Sequence, residues 1–300
     1  NLSRAHMQAV SRTSLFYHTA LALIAGGGVG FVGAAATPVG WWLGIPVFAV
    51  AFIASLRKPL RRMSALRRDL TTEEAVRIDE IAELFPGMDR NRFEQDVRIV
   101  VDEWGFEGID GVVVTDRIRV GVAAGAALLL HGRPEWELPV RQTVLLYPDR
   151  FDADYLAADS AAFDGMAHQR GPIILSAPAI EESWANVDDG HNVVLHELAH
   201  LLDYENEFAD GVPSLIHPNS AVAWRDLVEK EMRRIRLGRS VLRRYGAKNP
   251  AEFFAVSVEN FFERPGPLAE RHPELFSALE ALFGLDPRRI KRGVSAGSRE

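Results

Sequence analysis

Val193-Val194-Leu195-His196-Glu197-Leu198-Ala199-His200-Leu201-Leu202 reads as an aliphatic helix interrupted by a single His-Glu-x-x-His core. Residues four apart share a helix face, so His196 and His200 can present two imidazole nitrogens to one ion. Glu197 is turned by about 100° from His196. That sets it beside the metal, where a base takes a proton from a metal-activated water. The alternative is an accidental spacing on a helix surface. Against it, two imidazoles and a carboxylate in so apolar a helix would cost on the order of several kcal/mol to bury unless something such as a metal paired with them.

Composition narrows the chemistry. The 300-residue chain has no cysteine, which excludes thiolate ligands and disulfides and leaves His and carboxylate to hold a transition metal. A net charge of -7 gives no reason to expect a nucleic-acid surface. With 47% hydrophobic and 25% charged residues, the chain has an ordinary globular balance.

Catalytic zinc takes three protein ligands and keeps one position open. A third His six residues after the second is absent, since that position is Asn206, and Asp203 stands where the extended motif has glycine. Asp203 would share the face of His200 if the helix continued, as a ligand or as a hydrogen-bond partner of an imidazole. Farther on, Asn249-Pro250-Ala251-Glu252 opens a helix rich in Phe253, Phe254, Phe261 and Phe262, with Glu252 and Glu259 on one face. Asn249 as cap, Pro250 in the first turn and Glu at the third position also make a capping arrangement. Spacing leaves Glu252 and Glu259 both open.

Toward the N-terminus, Leu15 to Ala36 and Val39 to Leu56 carry no charge. As helices they would span about 33 and 27 Å, against a hydrocarbon core of roughly 30 Å. The short Thr37-Pro38 connection, five glycines (Gly26, Gly27, Gly28, Gly30, Gly33), Trp41-Trp42 and the basic residues Arg57, Lys58, Arg61, Arg62, Arg67 and Arg68 complete the pattern. They predict a transmembrane helical hairpin over residues 1–69 with both ends in the cytoplasm. A buried core helix pair, or a secretory signal ending at Ala34-Ala35-Ala36, are the competing readings.

Residues 70–287 read as a globular domain of helices and strands. Thr71 and Glu74 have capping-box spacing for a helix stopping at Pro86-Gly87. Asn91 to Trp104 predicts a second helix, and Val120 to Leu130 a core helix too short to span a membrane. Val140 to Tyr147 and Pro172 to Ser176 predict strands. Helices dominate from Asn192 to about Leu285, and residues 288–300 read as a disordered tail.

Several blocks surround the metal motif in a fixed order. They are Gly171-Pro172-Ile173-Ile174-Leu175-Ser176, then Gly190-His191-Asn192 running through the motif to Asp203, then Asp210-Gly211-Val212-Pro213. Last comes Tyr245-Gly246-Ala247-Lys248-Asn249-Pro250-Ala251-Glu252-Phe253-Phe254-Ala255-Val256, continuing to Glu259-Asn260-Phe261-Phe262. With these the chain resembles the Mlc titration factor A family of bacterial zinc-dependent peptidases, the glucose-regulated metallopeptidases. The resemblance implies a zincin-like α+β metallopeptidase domain, one Zn2+ per chain and aminopeptidase-like hydrolysis of a peptide or protein substrate. Carried over by position, it makes Glu252 the third zinc ligand and Tyr245 a catalytic tyrosine that donates to the oxyanion. The family's best-known enterobacterial member is a soluble cytoplasmic protein that binds the Mlc transcriptional repressor, so a repressor is a second candidate partner.

The N-terminal hairpin departs from that soluble pattern. It places the chain at the inner (cytoplasmic) membrane with the catalytic domain facing the cytoplasm; a soluble cytoplasmic protein is the alternative. The leading expectation is a membrane-anchored zinc peptidase. A regulatory protein that sequesters a repressor, with zinc of mainly structural use, competes with it. Glu197 favours catalysis, because a structural site has no need of a base beside the metal. An intramembrane protease fits less well, since His196 lies far beyond the hairpin with charges close by.

Overall fold

A computed structural model describes residues 44–134, 142–148, 171–203 and 220–292, together with 20, 23–29, 31, 32, 42 and 136. The chain divides into two compact units, Asn1–Asp69 and Leu70–Glu300. In the first, helix α1 (Gly44–Arg67) has no charged residue before Arg57, and its basic residues run from Arg57 to Arg67. Ile45, Val50, Ile53 and Leu60 on this helix are exposed. No helix among the described residues is long and apolar enough to cross a membrane. Most of Leu15 to Ala36 and the Thr37-Pro38 connection lie outside the described residues, so the predicted transmembrane hairpin gains no support here.

The second unit is helix-dominated, around a small parallel sheet. Strands β1 (Gly105–Gly108), β2 (Thr143–Tyr147) and β3 (Ile173–Ser176) lie in the order β1-β2-β3, with Phe106 opposite Val144 and Leu146 opposite Leu175. Parallel neighbours need a crossover. Between β1 and β2 it contains helix α4 (Asp116–Leu130), buried from Val120 through Leu129. Two further helices, α2 (Thr72–Glu83) and α3 (Arg90–Glu103), pack against α4.

After β3 in the chain come α5 (Ala177–Ala185), α6 (Val193–Asp203), α7 (Ala221–Arg236), a 3-10 turn (Arg244–Ala247) and α8 (Pro250–Glu263). The series ends with α9 (Pro265–Arg271), α10 (Pro273–Phe283) and α11 (Pro287–Arg292). Close approach of α4 to its neighbours rests on two glycines. A Cβ at Gly125 would lie 2.6 Å from Val194 Cγ1 of α6, and one at Gly121 would lie 2.9 Å from Ile180 Cγ2 of α5. The motif helix α6 is therefore seated on the core helix, and α8 also packs against it.

Local signals explain most of these boundaries. Thr71 and Glu74 form the reciprocal capping box that starts α2. Helix α4 begins earlier than its apolar run, at Asp116, because the Thr115 hydroxyl accepts the Ile118 N–H. Strand β1 was absent from the sequence reading. Its four residues, Gly-Phe-Glu-Gly, carry no β-branched residue, and only the parallel partner β2 makes them a strand. Residues 140 and 141, included in the predicted second strand, lie outside the described residues. The tail is corrected in part: residues 287–292 are helical, Ile290 is buried, and its carbonyl accepts the Gly87 N–H at 2.7 Å. Residues 293–300 lie outside the described residues.

Helix α8 is buried along its whole length except near its start, where Glu252 is half-buried. Phe261 stacks on Phe283 at 5.6 Å between centroids and also meets Phe262 and Phe276. These rings hold α8 against α10. Phe261→Ala should lower the unfolding free energy by about 3–5 kcal/mol. Chemical denaturation followed by tryptophan fluorescence measures it, and a loss well under ~1 kcal/mol would show that this cluster does not anchor α8.

Candidate metal centre

The motif helix is started by its own sequence. Gly190 turns the chain at φ 78°, a left-handed conformation that glycine adopts without strain. Asn192 follows, and its Oδ1 accepts the Leu195 N–H at 3.0 Å as an N-terminal cap. Helix α6 then presents His196 and His200, both buried, on one face. Glu197 is half-buried, and its charge is felt by both His196 and Tyr245.

The second wall comes from the start of α8. Asn249 caps this helix through its side chain, which accepts the Glu252 N–H at 2.9 Å, and Pro250 occupies the first turn. The cap uses only the backbone of Glu252. Its carboxylate turns toward α6, with Oε2 3.0 Å from His196 Nε2 and 3.6 Å from His200 Nε2. Oε1 accepts the Tyr245 hydroxyl at 2.9 Å. One ligand atom from each of His196, His200 and Glu252 thus falls within 4.8 Å of the others. Asp203 ends α6 fully buried and outside this group.

Glu259 does something different. Its fully buried Oε1 lies 2.6 Å from Nδ1 of His196 and also accepts Arg243 Nη2, while Oε2 accepts the Asn192 N–H at 2.8 Å. An ionised carboxylate only accepts, so Nδ1 carries the proton. In a neutral ring, Nε2 then offers a lone pair to another acceptor, the Glu252 carboxylate at 3.0 Å. Two acceptors at that distance call for a cation between them. A proton can serve: burial opposes charge on His196, but Glu259 and Glu252 outweigh it and push its pKa up to about 10. A metal ion serves better, because the nearby His200 Nε2 then shares it. The residues present fit a metal ion.

The same contacts tune the other groups. Burial would raise the Glu252 carboxyl, but hydrogen bonds from His196 and His200 hold it well below the usual carboxylate range. Burial and the neighbouring Glu252 push the Tyr245 phenol above its ordinary value.

Sequence reasoning missed three contributors. Arg243 neutralises Glu259 and lies 5.6 Å from the Tyr245 ring centroid; nothing in Arg243-Arg244-Tyr245 told which arginine turns inward. Asn192 was legible as a cap residue immediately before the motif helix. Glu263, one turn beyond Glu259, accepts the N–H groups of Gly190 and His191 and the Asn192 amide. Burial, with Asp189 and Glu259 nearby, pushes its pKa up to about 8 against those hydrogen bonds. Its signal was present, since a third carboxylate on an aromatic helix needs a partner. The Asp210-Gly211-Val212-Pro213 block lies outside the described residues.

Comparison with known proteins places the chain in a family. The profile of the glucose-regulated metallo-peptidase M90 family matches residues 57–284. An uncharacterized protein from Synechocystis sp. is 30% identical over 226 residues, covering 70% of this chain and 82% of its own. Proteins named Mlc titration factor A from Yersinia pestis and Yersinia pseudotuberculosis are each 29% identical over 208 residues, covering 62% of this chain and 74% of theirs. With His196, His200 and Glu252 drawn together and the family profile spanning most of its length, the chain belongs to the glucose-regulated metallo-peptidase M90 family.

Proposed function

We propose that the domain hydrolyses peptide bonds as a zinc metallopeptidase of aminopeptidase-like preference, with one Zn2+ held by His196, His200 and Glu252. The observation that carries this reading is the 3.0 Å approach of the Glu252 carboxylate to His196 Nε2 while Glu259 occupies Nδ1. Three protein ligands of this kind match catalytic zinc sites, which leave a position for water or substrate. Bound zinc supplies Lewis acidity, polarising a carbonyl and lowering the pKa of water toward ~7.

The chain's own residues supply the rest. Glu197, next to His196 on α6, takes the proton of the attacking water on its carboxylate and delivers it to the departing amine nitrogen. Tyr245 stays protonated because burial and Glu252 raise its pKa. Its O–H exchanges Glu252 Oε1 for the carbonyl oxygen as charge builds there. Glu259 fixes the tautomer and orientation of His196, as hydrogen-bonded carboxylates do for metal-ligating imidazoles.

A second reading rests on the relatives named Mlc titration factor A. It makes the chain a regulatory protein that sequesters a transcriptional repressor. Glu197 separates the two readings, because sequestration needs no base. The proposal also attaches the first unit to the inner membrane, with the peptidase domain in the cytoplasm. The uncharged runs, the exposed apolar residues of α1 and the basic residues after them support it.

Glu197→Gln should keep its zinc while hydrolysis of a peptide library falls by roughly 10²–10⁴; undiminished turnover would remove Glu197 from the mechanism. His196→Ala or His200→Ala should lose most bound zinc. Two carboxylate variants form a matched pair. Glu252→Gln should lose zinc steeply under mild chelation, whereas Glu259→Gln should weaken binding by about 10–100-fold through the tilt of His196. Metal loss confined to Glu259→Gln would reverse the assignment. Membrane fractions washed with carbonate should retain the full chain, and its complete release would exclude an integral anchor.

A further inference from the structure

Lys248 stands beside the centre, held to it only loosely through its side chain. It lies between the 3-10 turn and α8, with 42% of its side chain exposed. Its Nζ is 3.9 Å from Glu252 Oε1, at the outer limit of an ion pair, and 5.5 Å from the centroid of the Tyr245 ring. Oε1 is the carboxylate oxygen that faces Tyr245, away from the imidazoles. Lys248 therefore flanks the side where the phenol donor waits.

Charge balance says what this cation is for. Among the described residues, Glu197, Glu252 and Glu259 are the carboxylates next to the imidazoles, and the guanidinium of Arg243 is committed to Glu259. A bound dication and Arg243 together match those three negative charges. Lys248 is then surplus, and its weak partner Glu252 is shared with the metal. Arg244, next to Tyr245, is exposed and adds a further positive charge to the same segment. With a metal bound, Lys248 adds a positive charge beside the Tyr245 ring, and Arg244 a second one on the same segment.

We infer that Lys248 forms a carboxylate-binding subsite, which makes the enzyme prefer peptides bearing a negative charge next to the bond that is cleaved. This inference rests on the zinc peptidase reading. An extended peptide advances about 3.3–3.6 Å per residue, so a group held by Lys248 belongs to a residue one or two positions from that bond. An Asp or Glu side chain can supply the carboxylate, as can the free C-terminus of a short peptide. Both offer the same chemistry to the ammonium group.

The test uses zinc-loaded full-length protein carrying Glu197→Gln, which binds without turnover, and four fluorescent peptide probes. The probes pair Glu against Gln beside the candidate bond, and a free against an amidated C-terminus. Fluorescence anisotropy should show about tenfold tighter binding of whichever charged form supplies the carboxylate, a ratio equal to about 1.4 kcal/mol. The Glu/Gln pair reads the side-chain source and the acid/amide pair reads the terminal one. Adding Lys248→Gln should reduce the ratio to within about twofold, Lys248→Arg should preserve most of it, and Lys248→Glu should invert it. In the otherwise native protein the same preference should appear in KM more than in kcat. Equal binding of charged and neutral probes, or a ratio unchanged by Lys248→Gln, overturns the inference. Peptide hydrolysis that persists without the charge preference leaves the peptidase reading standing, whereas charged-probe binding without any hydrolysis does the reverse.

Discussion

A buried carboxylate with no access to water must be matched by donors on every side, and Glu259 is placed so that each donor it finds belongs to the metal centre. One oxygen accepts hydrogen bonds from His196 Nδ1–H and from the guanidinium of Arg243; the other accepts the backbone N–H that precedes the first turn of the motif helix. Removing its charge would free three segments at once: the start of α6, the 3-10 turn with Tyr245, and the middle of α8. Leaving any of those donors unpaired costs roughly 1–3 kcal/mol. The geometry of the ligands is thus held by an acid that need not touch the ion.

Around that acid the fold supplies rigidity. Small residues on α4 let the motif helix settle close to the core, and phenylalanines on α8 lock the opposite wall. The candidate ligand side chains project from two helices that pack on each other. Positioning on regular elements leaves little freedom for the imidazoles to drift, which is what a three-ligand site with an open position requires.

How much of this was legible in the sequence follows from the range of each signal. The motif helix, the caps at Thr71 and Asn249, and the aromatic face of α8 are local patterns, and they stand where the sequence put them. Strand β1 was invisible because its four residues have meaning only beside β2. The choice between Glu252 and Glu259 was open on spacing, since both lie on one helix face. It depends on how α8 is shifted along α6, which brings one carboxylate to Nε2 and the other to Nδ1 of the same ring. Arg243 belongs to the same class: a charged residue in an irregular segment, whose inward turn is set by a distant buried acid.

The sequence distance between the two walls has a consequence for the growing chain. His196 and Glu259 are 63 residues apart. At a synthesis rate of about 5–20 residues per second, roughly 3–13 s separate the appearance of the first ligand from that of the acid that aims it. During that interval the motif helix exists without its opposing carboxylates. The two imidazoles therefore meet Glu252 and Glu259 only when the C-terminal helices dock, so the three-residue group assembles late in synthesis. Assembly of the centre is thus timed by translation, since α6 waits for α8 before His196 is aimed.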